Sequence, residues 1–178
     1  MEITHSTHII MPVKDSIETA EQAIRSIVNS GHTLTVYDDY STNETAERLD
    51  TLQRELGIRV IHLSEHIHNP SPNYRWVLIN AQKECIAEGK HLIIIESDVI
   101  ISKQTIDKLS NVVSEQVGMV AAVTTDNKGN INFPYEYAKH LQTDCTSNKR
   151  FSFCCTLLTN ALLHAYDFEQ LNPNKNWY

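Results

Sequence analysis

The sequence is poor in glycine, poor in positive charge and without a long apolar run. It has five glycines in 178 residues, and none has the spacing of a G-x-G-x-x-G or G-x-x-x-x-G-K loop. That excludes the glycine-rich phosphate cradles of Rossmann and P-loop sites. Fifteen Lys and Arg against 22 Asp and Glu leave a net charge of −7, which excludes the basic footprint of a nucleic-acid-binding protein. An anionic ligand must then be met locally, by backbone N–H groups or by a metal ion that reverses the sign of the field. Apolar runs such as LIII at 92–95 are far too short for a transmembrane segment, and the N-terminus has no basic stretch followed by an apolar one. The chain therefore reads as soluble, unsecreted and cytoplasmic, with a peripheral place at the cytoplasmic membrane face left open. Cys85, Cys145, Cys154 and Cys155 form no C-x-x-C pair, so a disulfide framework and a closed zinc site are not indicated. Cys154 and Cys155 are adjacent and point to opposite faces of a strand, which favours packing over redox or metal chemistry.

What is present is alternation. With 41% hydrophobic residues the chain buries a real core as one domain. THIIMPV (7–13) reads as a buried strand. A helix follows from Asp15, with Glu18 at capping-box spacing, an apolar face of Ile17, Ala20, Ile24, Ile27 and Val28, and a stop at Gly31. TLTVY (33–37) is the second strand. Its helix begins at Ser41 with Glu44 three residues on and stops at Gly57. IRVIHL (58–63) is the third strand, and SEHIHNPSPN (64–73) is a loop broken by proline and asparagine. Trp76–Gly89 is helical. HLIIIES (91–97) is continuous rather than alternating, as a central parallel strand covered on both faces should be. A helix over 103–116, a strand at 119–125, a DNKGN turn, a helical stretch over 134–142 and a strand at RFSFCCTLL (150–158) complete the order.

Strands and helices alternating with short connections predict an α/β fold, a mostly parallel central sheet flanked by helices on both faces. In such sheets ligands bind beyond the carboxyl ends of the strands. Those ends carry PVKD (12–15), DDYS (38–41) and ESDV (96–99), so three strands deliver carboxylates to one edge. Like charges gathered there need a divalent cation or ligand donor groups as partners. His62, His66 and His68 could suggest zinc, but two of them sit in the Pro/Asn loop and no Cys or carboxylate pattern completes a closed site, so solvated histidines are the reading.

IIMPVKD, DDYSTNET and GKHLIIIESD, in that order and over residues 7 to about 116, resemble the family 2 glycosyltransferases of GT-A fold. The resemblance implies a nucleotide-sugar donor at the edge already identified, a UDP-sugar by family habit, held by Pro12, Val13, Asp15, Asp38, Asp39, Glu96 and Ser97. It gives Asp39 the task of reading the base, leaves Asp38 as its structural neighbour, and assigns Asp98 to a divalent cation, Mn or Mg, on the diphosphate. Such a cation neutralises leaving-group charge. Arg75 is a candidate for the diphosphate, in place of an arginine the family carries where INAQK (79–83) stands here. Glu96 also departs from the family, replacing the first Asp of D-x-D. The catalytic residue is not identified. Asp144, Asp167 and Glu169 are the only acidic residues after Glu136, and none sits in the family's Glu-Asp context for a general base. The expectation is a GT-A-like domain over 1–178 lacking its acceptor and base segment. Its activity would be transfer, inverting and metal-assisted, to an unknown glycan, lipid-linked or small-molecule acceptor. Two other readings stand beside it: a nucleotide-binding module without catalysis, and a receiver-like domain phosphorylated on Asp98.

Overall fold

A computed structural model describes residues 6–172. Six strands form one sheet in the order β3-β2-β1-β4-β6-β5: β1 Thr7–Val13, β2 Thr35–Asp38, β3 Arg59–His62, β4 His91–Ile95, β5 Met119–Ala121 and β6 Cys155–Leu158. The first four strands are parallel, and β6 runs antiparallel to both β4 and β5. The expected α/β architecture is the observed one.

Both faces of the sheet are covered. Helices α1 (Ile17–Asn29), α2 (Asn43–Leu56) and α4 (Thr105–Asn111) pack Ile24, Ile27, Leu49, Leu52 and Ile106 against Ile9, Met11, Val36, Ile93 and Ile95. Helices α3 (Tyr74–Glu88) and α5 (Asn160–Ala165) cover the opposite face, where Val77, Leu78, Cys85 and Leu163 meet Ile10, Tyr37, Leu92 and Ile94. Successive residues of one strand enter opposite layers because side chains alternate across the sheet. All five residues of β4 are buried, which is why its sequence carries no polar alternation.

The ends of the elements differ from the sequence reading in an informative way. Gly57 and Gly89 do end α2 and α3, with φ of 68° and 66°, a conformation glycine takes without steric cost. Neither predicted capping box forms. Helix α1 starts one residue beyond Ser16, whose φ is 52°, and α2 starts after Thr42; neither N-cap side chain accepts a bond from its helix. The expected caps, Asp15 and Ser41, bond across to each other's loops instead. Beyond α4 the elements shrink. The predicted strand at 119–125 keeps three residues, the helical stretch over 134–142 is a 3-10 turn at Tyr135–Ala138, and β6 keeps only the last four residues of RFSFCCTLL.

Candidate functional site

Three connections leave the carboxyl ends of β1, β2 and β4 along one edge. The first two are stitched together. Asp15 N–H donates to Ser41 Oγ at 2.9 Å, Thr42 N–H donates to Asp15 Oδ1 at 2.8 Å, and the Lys14 ammonium donates to the Tyr40 carbonyl. The bond from Thr42 N–H is the main reason the Asp15 carboxyl lies below its ordinary range. Asp15, Ser16 and Tyr40 all have positive φ, between 52° and 59°, at a cost of about 1 kcal/mol or more for each non-glycine residue. Such strain persists only where the surrounding structure holds it, here through the bonds that stitch the two loops together. Pro12 and Val13 are buried beneath the first loop, with Val13 paired to Asp38 and its carbonyl accepting from Asp39 N–H at 2.8 Å.

The two adjacent carboxylates divide their work, and both are enclosed. Asp38 accepts from Ser41 N–H at 3.1 Å through Oδ1 and faces His62 Nδ1 at 2.7 Å through Oδ2. Asp39 is fully buried. It accepts from Ser71 Oγ and Asn73 N–H, each at 2.8 Å, and from Asn73 Nδ2 at 2.7 Å. The Asp39 carboxylate, expected from the resemblance to face a base, is therefore turned into the loop before α3, and its neighbours Ser71 and Asn73 line that contact. These donors answer the opposed charges that made a DD pair costly.

Beyond β4 the ESD segment forms a turn closed by Val99 N–H on the Glu96 carbonyl at 3.0 Å. Glu96 and Ser97 are half-buried and Asp98 is exposed. Burial raises the Glu96 carboxyl above its ordinary range, and the charge of Asp98 adds to that, against a hydrogen bond with the Cys154 thiol. Cys154 itself is pushed up to about 11, chiefly by burial. The extra methylene of Glu96, relative to Asp, carries its carboxyl toward the β6 side of the edge.

Arg75, the sequence candidate for the diphosphate, has its guanidinium on backbone carbonyls of the C-terminal segment. Its Nε donates to the Leu171 carbonyl at 2.9 Å and its Nη2 to the Glu169 carbonyl at 2.6 Å, so it fastens the C-terminal segment to α3. Gln82, in the segment where the family carries its arginine, does the same work: Nε2 donates to Leu163 O and Tyr166 O, and Oε1 accepts from Phe168 N–H. Trp76 packs edge-on to Tyr37 and stacks on His66.

Sequence reasoning missed Ser71 and Asn73 and misjudged His62, which is not solvated but part-buried at the end of β3 between the Asp38 and Asp50 carboxylates. The strand ends held a signal for His62: TVYD and RVIH are parallel neighbours in register, which sets Asp38 opposite His62. For Ser71 and Asn73 there was none, because a loop of Ser, Pro and Asn signals only a break.

Among the described residues no cluster of three or more His, Cys, Asp or Glu forms a metal cage. The exposed Asp98 carboxylate with Glu96 beside it is a hard-oxygen pair of the kind that shares Mg or Mn with substrate phosphates, so the residues fit a cation completed by its ligand.

Residues 8–171 match the glycosyl transferase family 2 model, and the chain belongs to that family. With the sheet order above, its fold is GT-A, which removes the receiver-like alternative. Among solved structures it is similar to a mycobacterial protein at 19% identity and TM-score 0.50, aligned over 65% of this chain and 39% of the other. It is also similar to glucosyl-3-phosphoglycerate synthase from Mycobacterium tuberculosis, solved with UDP and, separately, with Mn2+, UDP and glucosyl-3-phosphoglycerate. Both comparisons give 21% identity, a TM-score of 0.49 and 65% coverage of this chain, with 43% and 42% of the synthase. The chain thus spans less than half the length of these structures. Comparison with curated proteins gives no match.

Proposed function

We propose that the chain is the donor-binding part of a glycosyltransferase that takes a nucleoside-diphosphate sugar, with UDP as the favoured nucleotide, and transfers the sugar to a hydroxyl acceptor with inversion. The observation that carries this reading is the convergence of Asp15, the Asp38–Asp39 pair and the Glu96–Asp98 turn on one strained sheet edge, in a chain of family 2.

In this reading the β1 and β2 loops form the nucleoside side of the site. Asp39 and the Ser71–Asn73 segment it holds set the base contact, while Asp15 and Ser41 fix the spacing of the two loops. Asp98, with Glu96 beside it, would hold Mn or Mg against the diphosphate. When bound, that ion supplies charge neutralisation for the departing nucleoside diphosphate. The reaction joins an acceptor oxygen to the anomeric carbon as the bond from that carbon to the diphosphate oxygen breaks, and the acceptor proton passes to a base. Of the acidic residues after Glu136, Asp167 accepts from Glu169 N–H at 2.8 Å and Glu169 pairs with Lys83 at 2.8 Å. Both are engaged within the C-terminal segment and on α3, so neither is assigned the base role.

Calorimetric titration with UDP, GDP and dTDP, each with and without manganese, tests the reading. One nucleotide should bind, more weakly without metal and in Asp98→Ala. Failure of all three to bind under every condition would overturn it.

A further inference from the structure

At the outer side of the edge His62 ends β3 with both ring nitrogens on carboxylates: Nδ1 is 2.7 Å from Asp38 Oδ2 and Nε2 is 3.0 Å from Asp50 Oδ1. A neutral imidazole has one N–H and one lone pair, so it can donate to only one of two ionised carboxylates and must set its lone pair against the other. Only the imidazolium satisfies both. Asp38 hands the constraint on, because its other oxygen accepts from Ser41 N–H, Ser41 Oγ accepts from Asp15 N–H, and Asp15 accepts from Thr42 N–H. A single relay therefore runs from Asp50 on α2, through His62 on β3 and Asp38 on β2, to the strained loop after β1.

We propose that His62 is a positioning residue of the donor site, whose imidazolium holds the β2–α2 turn in the form that presents Ser41 and the β1 loop to the nucleotide, and releases it on deprotonation. The nucleotide part rests on the function proposed above. The positioning part is a property of the free protein.

The surroundings favour the charged ring. A cavity of about 390 Å³ opens beside it, lined by Asp38, Tyr40, Glu47, Asp50 and Glu65 among others. These carboxylates come from β2, α2 and the 3-10 turn after β3, and no cation from those elements lines the cavity among the described residues. Burial by itself lowers the affinity of the ring for its proton, but the hydrogen bonds it donates to Asp38 and Asp50 outweigh it, and His62 lies above its ordinary 6.5. The direction follows: the contribution of a histidine raised in the folded state is complete below pH 6.5 and is lost as pH rises through the higher folded value.

The test follows the free chain by NMR, reading the His62 imidazole and the backbone amides of Asp39 to Thr42 from pH 5.5 to 8.5, with UDP–manganese affinity measured over the same range. In the wild type the amides should titrate with His62, and affinity should fall on the order of tenfold across the same midpoint, the equivalent of one charge-assisted hydrogen bond. Asp50→Asn, at a half-exposed position, should move both midpoints to lower pH. His62→Gln should abolish the amide titration. Amides that ignore His62, or midpoints unchanged in Asp50→Asn, would overturn the proposal. If the amides follow His62 but no nucleotide binds at any pH, the positioning relay stands and the donor-binding reading falls.

Discussion

A carboxylate sealed from water has to be matched by donors, and Asp39 is matched by three contacts from Ser71 and Asn73. Asp39→Ala would leave those donors facing a small cavity, each lost partner costing about 1 kcal/mol or more. The expected result is a destabilisation of about 2–4 kcal/mol in urea unfolding together with loss of nucleotide binding. Asp98 is the opposite case. It is exposed at the tip of a turn and makes no hydrogen bond or ion pair among the described residues, so Asp98→Ala should leave stability within about 0.5 kcal/mol while weakening manganese-dependent nucleotide binding at least about tenfold. A loss of stability comparable to that of Asp39→Ala would assign Asp98 a structural task instead. The two variants separate a residue that builds the edge from one that the proposed function sets against the ligand.

At the scale of elements, legibility followed burial. Strands β1 and β4 were readable because a parallel strand covered on both faces is apolar along nearly its whole length, the edge strand β3 was readable from its β-branched Val60 and Ile61 between a glycine stop and a polar loop although none of its residues is fully buried, and α2 and α3 end at glycines with φ near 67° because the left-handed turn demands them. Gly57→Ala should cost about 1 kcal/mol, seen as a lower melting temperature with unchanged spectra. The capping boxes misled because Asp15 and Ser41 had a better use across the loops than on their own helices, where tertiary contacts override local preference. The second half was harder for a related reason: β5 has three residues, none of them fully buried, so no period accumulates. The bonds that Arg75 and Gln82 make were not legible because their partners are backbone carbonyls and an N–H some 80 to 96 residues away, and backbone atoms carry no sequence signal. Gln82→Leu keeps the volume but leaves Leu163 O, Tyr166 O and Phe168 N–H without their partner. It should destabilise by about 2–3 kcal/mol and speed hydrogen exchange in α5 before it does so in β4.

For the whole molecule, two ion clusters on different elements oppose one another in pH. Glu21 on α1 is bound by Arg48 of α2 at 2.6 Å and by Arg25 at 2.8 Å, and the Arg48 hydrogen bond is the main reason its carboxyl falls from 4.5 to about 2. A carboxyl depressed by folding contributes stability that is complete above pH 4.5 and lost as pH falls toward 2. Because the arginines are partly in water, the contribution is about 1 kcal/mol rather than the full value of the shift. His62 acts in the other direction, its contribution complete below 6.5 and lost at higher pH. Stability should therefore peak between about pH 4.5 and 6.5, bounded on the acid side by the clamp between α1 and α2 and on the alkaline side by the relay at the donor edge. In chemical unfolding from pH 2.5 to 8.5, Glu21→Gln should flatten the acid limb and leave the alkaline limb in place. If Glu21→Gln instead lost stability in parallel with the wild type down to pH 2.5, the acid limb would belong to other carboxylates. The α1–α2 clamp would then be a surface contact without a measurable share in holding the two helices that carry the site's loops.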